Sequence, residues 1–159
     1  MPCTLPAVLA DAAVCRGSFH AVLRTDVPDT VFSAFSAALQ KAQADGSLLT
    51  ASLFRCESHL FFYAEGLNRP FTPQGLCPAL DAALLPWPPA LGETSPRPWA
   101  AMQPYFYHDI PTTAADWQQG RCPQRRRGRI ALLPPDKWCS YMEHHLRIGT
   151  EGLVEGDRW

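Results

Sequence analysis

Ser18-Phe-His-Ala-Val-Leu-Arg-Thr-Asp-Val-Pro-Asp29 is the stretch on which the fold reading turns. Its first eight residues predict a strand, with His20, Val22 and Arg24 on one face and Phe19, Ala21 and Leu23 on the other. Asp26 to Asp29 then supply a cap and a helix-opening proline. A helix over about 29–44 follows, with Val31, Phe35, Ala38 or Leu39, and Ala42 on one apolar stripe. Asp45-Gly46 ends it, since glycine tolerates the left-handed conformation past a helix C-terminus.

Working outward, 48–55 and 59–64 are two β-rich runs separated by Cys56-Glu57-Ser58, and runs this close predict a hairpin. From Asn68 to Trp99 the chain is rich in proline. One short helix is expected there, over about 78–85, and Pro86 must stop it. A fourth strand is expected over 102–110, with Tyr105, Phe106, Tyr107 and His108 in its body. Pro104 lacks an N–H, so pairing should begin after it or the strand should lie at an edge. The order β-α-β-β-α-β over 18–110 predicts an α+β fold of ferredoxin-like type, an antiparallel sheet with both helices on one face. The opposite face then needs cover, from a second chain or from a tandem repeat.

A repeat is suggested within the chain. Phe19 to Asp29 and Gly128 to Asp136 both read strand, proline, aspartate, helix. The expected organisation is a ferredoxin-like unit over 1–110, a linker with the arginine-rich loop over 111–128, and the strand and helix of a second copy over 129–159. A short helix at about 113–119 falls in the linker. The strand at 129–133 and the helix after it are expected to pack on the first unit.

That second helix holds the densest group of reactive side chains. Pro135 suits a first helical turn, and Asp136 favours the positive end of the helix dipole. Trp138, Tyr141, Met142, His145 and Ile148 recur at helical spacing and share a face. Tyr141 and His145, at i and i+4, are neighbours there. A phenol and an imidazole side by side can move protons near neutral pH, which makes them the candidate catalytic pair. Cys139 points elsewhere and reads as a buried, inert thiol.

Composition narrows the classes. With 159 residues the chain can build one good core, and 47% apolar with 18% charged residues is the balance of a soluble globular protein. A net charge of -1 gives no global attraction to nucleic acid or anionic lipid. The cluster Arg121, Arg125, Arg126, Arg127 and Arg129 therefore reads as a solvated loop. The N-terminus has no basic region before its apolar residues and carries Asp11, so no secretory signal is expected. Six cysteines (3, 15, 56, 77, 122 and 139) lie far apart without a Cys-x-x-Cys, as reduced thiols of a cytoplasmic protein would. Glu143, His144 and His145 diverge around their helix and cannot all face one ion, with His108-Asp109 or without, so no metal site is expected.

The segment Pro135-Asp-Lys-Trp-Cys-Ser-Tyr141-Met-Glu-His-His145, followed by Ile148 and Glu151, resembles the start of L-rhamnose mutarotase. That family opens with a strand, a Pro-Asp helix start, Tyr-x-x-x-His, then an isoleucine and a glutamate. The likeness is confined to the C-terminal part of this chain and extends to tandem relatives of the mutarotase. It implies a dimeric α+β barrel, no cofactor, and acid–base opening of a pyranose ring by His145 and Tyr141. By position it implies a sugar-binding part for Glu151. The family's tryptophan cluster lies further along than this sequence reaches, and Trp99 and Met102 are the residues expected to take an analogous part. Trp138 on the helix face, and Tyr107 with Trp87, Trp99 and Tyr105, offer aromatic faces for a sugar ring.

Three functions compete: a mutarotase-like isomerase of aldoses, a non-catalytic relative that binds a ligand or partner, and a cofactor-poor oxygenase of the same barrel fold. A homodimer with a sugar-like ligand is expected, with neither nucleic acid nor membrane as partner.

Overall fold

A computed structural model of the protein describes residues 11–89, 92–104, 111–120 and 132–151. The chain divides into two compact units, one of Met1–Gln103 with Pro111–Arg126, the other of Pro104–Ile110 with Arg127–Trp159. The described elements are β1 (Val14–Val22), α1 (Asp29–Ala44), β2 (Thr50–Cys56), β3 (His59–Leu67), α2 (Pro78–Ala82), β4 (Ala100–Ala101), α3 (Ala114–Gly120) and α4 (Trp138–Glu151). No described helix is long and apolar enough to cross a membrane.

The first unit is a mixed α+β structure on a four-stranded antiparallel sheet, in the order β2-β3-β1-β4. Alternation along the strands gives the sheet two different faces. On the inner face, Ala21 and Leu23 from β1 and its extension stand with Leu60, Phe62 and Ala64 from β3, and α1 and α2 cover them with Phe35, Ala42 and Leu80. Phe62 is 1% exposed and meets Phe35 edge-on, their ring centroids 5.8 Å apart. The outer face carries Arg16, Ser18 and His20 opposite Glu65, Tyr63 and Phe61.

Several boundaries move. β1 runs back to Val14, because Cys15, Arg16 and Gly17 pair with Gly66, Glu65 and Ala64. Leu23 beyond it makes only an isolated bridge, to Leu84. β3 continues to Leu67. The fourth strand is displaced: β4 is Ala100–Ala101, and Met102 to Pro104 lie past it outside any strand. The Met102 N–H still bonds Ser18 at 2.8 Å, but Pro104 has no N–H to continue the ladder. The remainder of the expected strand, Tyr105 to Ile110, lies outside the described residues, as do the cluster Arg121–Arg129 and Ile130. Leu132 and Leu133, the end of the strand expected at 129–133, are not in a strand, and Leu132 is 97% exposed. Two prolines follow directly, and neither can donate to a ladder.

At the start of α1, Pro28 itself is the N-cap in an extended conformation, with no side-chain cap. Asp26 instead pairs with Arg55 at 2.8 Å. The expected stop is present, with Asp45 as C-cap and Gly46 at φ 78°. The helix expected in the linker forms as α3 within the first unit, where its Trp117 is buried beside Val14 and Leu49.

Gly17 is required by space. A Cβ there would stand 2.7 Å from the Phe19 ring and 3.0 Å from the Phe71 carbonyl oxygen. Gly17→Ala is expected to destabilise the protein by about 1–3 kcal/mol in urea unfolding, the usual range for overpacking. An unchanged midpoint would show that the Phe71 backbone yields without strain.

Candidate functional site

The second unit presents α4, entered through a 3₁₀ turn at Pro135–Lys137. Tyr141 and His145 do meet, with ring centroids 4.1 Å apart and planes inclined by 37°. His145 Nδ1 lies 3.0 Å from the Tyr141 carbonyl oxygen, one turn back. A carbonyl only accepts, so Nδ1 carries the hydrogen, and in the neutral ring Nε2 keeps its lone pair for chemistry. Tyr141 and Trp138 are exposed and His145 is half-buried. His144 and Glu143 are exposed, with the His144 ring at 80° to that of His145. Cys139, expected to be buried, is exposed as well.

The remaining expected site residues are differently placed. Trp99 is a core residue, 2% exposed, stacked on Phe35 at 6.3 Å and donating its indole N–H to Asp81 Oδ1 at 2.9 Å. Its faces serve packing. Met102 is exposed just past β4. Tyr107 lies outside the described residues, and so does the side chain of Glu151, the last residue of α4.

The outer face of the sheet carries two polar groups that the sequence reading missed. The first surrounds Glu65, which is 0% exposed. Its Oε1 accepts from the Tyr63 hydroxyl at 2.6 Å, and its Oε2 accepts from the Trp117 indole at 2.6 Å. Arg16 Nε stands 3.7 Å from Oε1, a charge contact too long for a hydrogen bond. The Arg16 guanidinium also donates to the carbonyls of Pro111 and Val14. Charge and hydrogen bonds together make this burial tolerable.

Trp117 reaches Glu65 because α3 starts with a capping box. The Asp116 N–H donates to Thr113 Oγ1, and Asp116 Oδ2 accepts from the Thr113 N–H and the Thr112 hydroxyl. Those bonds, from Thr113 first and then Thr112, hold the Asp116 carboxyl below its ordinary range.

The second group is an imidazole pair. His20 Nε2 and His59 Nδ1 are 2.8 Å apart. Phe61 stacks on His20 at 4.8 Å with planes 7° apart, and Trp87 leans on it at 5.2 Å. Burial first, and the neighbouring His59 charge second, hold His20 below the ordinary imidazole value of 6.5.

Alternation puts His59, Phe61, Tyr63 and Glu65 on one face, and that much is legible in β3 alone. Nothing local shows that Glu65 would be buried or that His20 would meet His59. Among the described residues no three His, Cys, Asp or Glu side chains form a metal-ligand group. Comparison with known proteins finds no matching family, no similar curated protein and no similar solved structure.

Proposed function

We propose that this protein is a mutarotase-like isomerase of aldoses, with His145 and Tyr141 as its proton carriers. One observation carries the reading: His145 Nδ1 is held by the Tyr141 carbonyl while its ring lies against the Tyr141 ring. That arrangement orients the imidazole without using Nε2. In the proposed reaction Nε2 takes the proton of the anomeric hydroxyl as the bond from the anomeric carbon to the ring oxygen breaks. The ring oxygen receives a proton from the Tyr141 hydroxyl, giving the open-chain aldehyde. Rotation about the adjacent carbon–carbon bond and the reverse steps return the other anomer. No oxidant and no cofactor enters this balance.

The strand order and antiparallel pairing support a ferredoxin-like βαββαβ arrangement for the first unit. The proposal places the protein in the cytoplasm, where scattered reduced thiols are the norm. It also takes the protein as a homodimer of this chain. Light scattering is expected to give twice the mass of one 159-residue chain. A monomer at high concentration would rule out this pairing.

Saturation-transfer NMR across several aldoses tests the activity, and exchange between anomers above the buffer rate is the expected result. A second reading, ligand or partner binding without turnover, is favoured by the exposure of Trp138 at 44% and Tyr141 at 46%. Binding without exchange would select it.

A further inference from the structure

The imidazole pair on the outer sheet face plays no part in the chemistry assigned to α4. His20 and His59 ring centroids lie 5.1 Å apart and their planes differ by 14°. With the two nitrogens at 2.8 Å, the rings meet edge to edge, nearly in one plane. This is the geometry of an N–H···N hydrogen bond, in which one ring donates and the other accepts.

Counting protons shows what such a pair can hold. In the neutral pair, one hydrogen lies between the rings and one on the outer nitrogen of the accepting ring. A first added proton goes to the outer nitrogen of the donating ring, and the bond survives. A second has only the accepting nitrogen left. That would set N–H against N–H and two positive charges against each other at hydrogen-bond distance.

We propose that His20 and His59 form a pH-sensitive latch on the outer face of the sheet. On acidification the second proton breaks their hydrogen bond, His59 turns out to solvent, and the His20 edge between Phe61 and Trp87 is uncovered. His59 is the ring that moves. It is exposed at the first position of β3, beside the hairpin turn, whereas His20 lies inside β1 under two aromatic rings. The depressed titration of His20 agrees with this geometry.

Charged and titratable groups stand on the strands and segments that neighbour the pair. Cys56 stands opposite His59 on β2, and Glu57 follows it in the turn. Arg24 continues the His20 side of β1 and donates to the Leu84 carbonyl. On the segment bearing Trp87, Arg97 pairs with Trp87 through the backbone and with Glu93 at 3.7 Å. The strongest opposition to the second proton is the first one.

Nitrogen-15 NMR of the imidazoles in the full chain, from about pH 8 down to about pH 5, tests the latch. A scalar coupling between His20 Nε2 and His59 Nδ1 is expected at the upper end. The pair should titrate in two separated steps, with the coupling lost at the second. In His59→Gln, a substitution at an exposed position, His20 should titrate in one step shifted upward. Urea unfolding supplies an independent measure. A lowered His20 value means the unfolded chain takes up the proton more readily. Its stability contribution is therefore present above the ordinary value of 6.5 and lost as pH falls below it. That loss should be smaller in His59→Gln. Independent single-step titrations, or a coupling that survives both steps, would overturn the proposal. So would a His20 titration unchanged in His59→Gln.

Discussion

Replacing His145 with alanine is expected to slow anomer exchange by about 10²- to 10⁴-fold, the usual worth of one acid–base group. The hydrogen bond that orients His145 ends on the Tyr141 backbone carbonyl, and not on the phenol. Tyr141→Phe therefore keeps the tautomer of His145 and removes only the hydroxyl. A loss comparable to that of His145→Ala would make the phenol the second proton carrier. A smaller one would leave it an orienting role. His144→Ala is the control, because its exposed ring lies at 80° to that of its neighbour. Equal losses from the two histidine variants would signal general destabilisation. Full exchange in His145→Ala would remove the catalytic assignment.

Glu65→Ala is expected to be among the most damaging single substitutions in the first unit. It removes a counter-charge of Arg16, whose side chain is 8% exposed, together with an acceptor of the Trp117 indole and one of the Tyr63 hydroxyl. Breaking one side of a buried ion pair costs about 3–5 kcal/mol, because the other charge stays buried and loses its counter-charge. Urea unfolding followed by far-UV circular dichroism measures it. Glu65→Gln should lose less, since its amide oxygen still accepts from one of the two donors, although its NH₂ then faces the other. Trp117→Phe tests the same group from α3, and the double variant with Glu65→Ala should lose less than the sum of the singles. A Glu65→Ala cost under about 1 kcal/mol would mean that water replaces the carboxylate and that Glu65 does not hold α3 through Trp117.

A good part of this protein is written locally. The period-2 alternation through Phe19, Ala21 and Leu23 and again through Leu60, Phe62 and Ala64 determines which sheet face becomes the core. The stripe of α1, its stop at Asp45-Gly46 and the turn between Cys56 and His59 are equally local. The Tyr141–His145 pair belongs with them, because helical spacing alone makes i and i+4 neighbours. The boundaries were less legible, since pairing partners set them. Gly17 joins β1 only because Ala64 lies opposite, and β4 falls on Ala100–Ala101 because β1 offers its free edge there. The outer face was decided by tertiary structure. Trp117 lies 52 residues from Glu65 and His59 lies 39 from His20, and no local propensity relates residues so far apart. A carboxylate in β3 reads as solvent-facing until α3 lies over it. Two histidines read as separate bases until antiparallel register leaves room for a single proton between them.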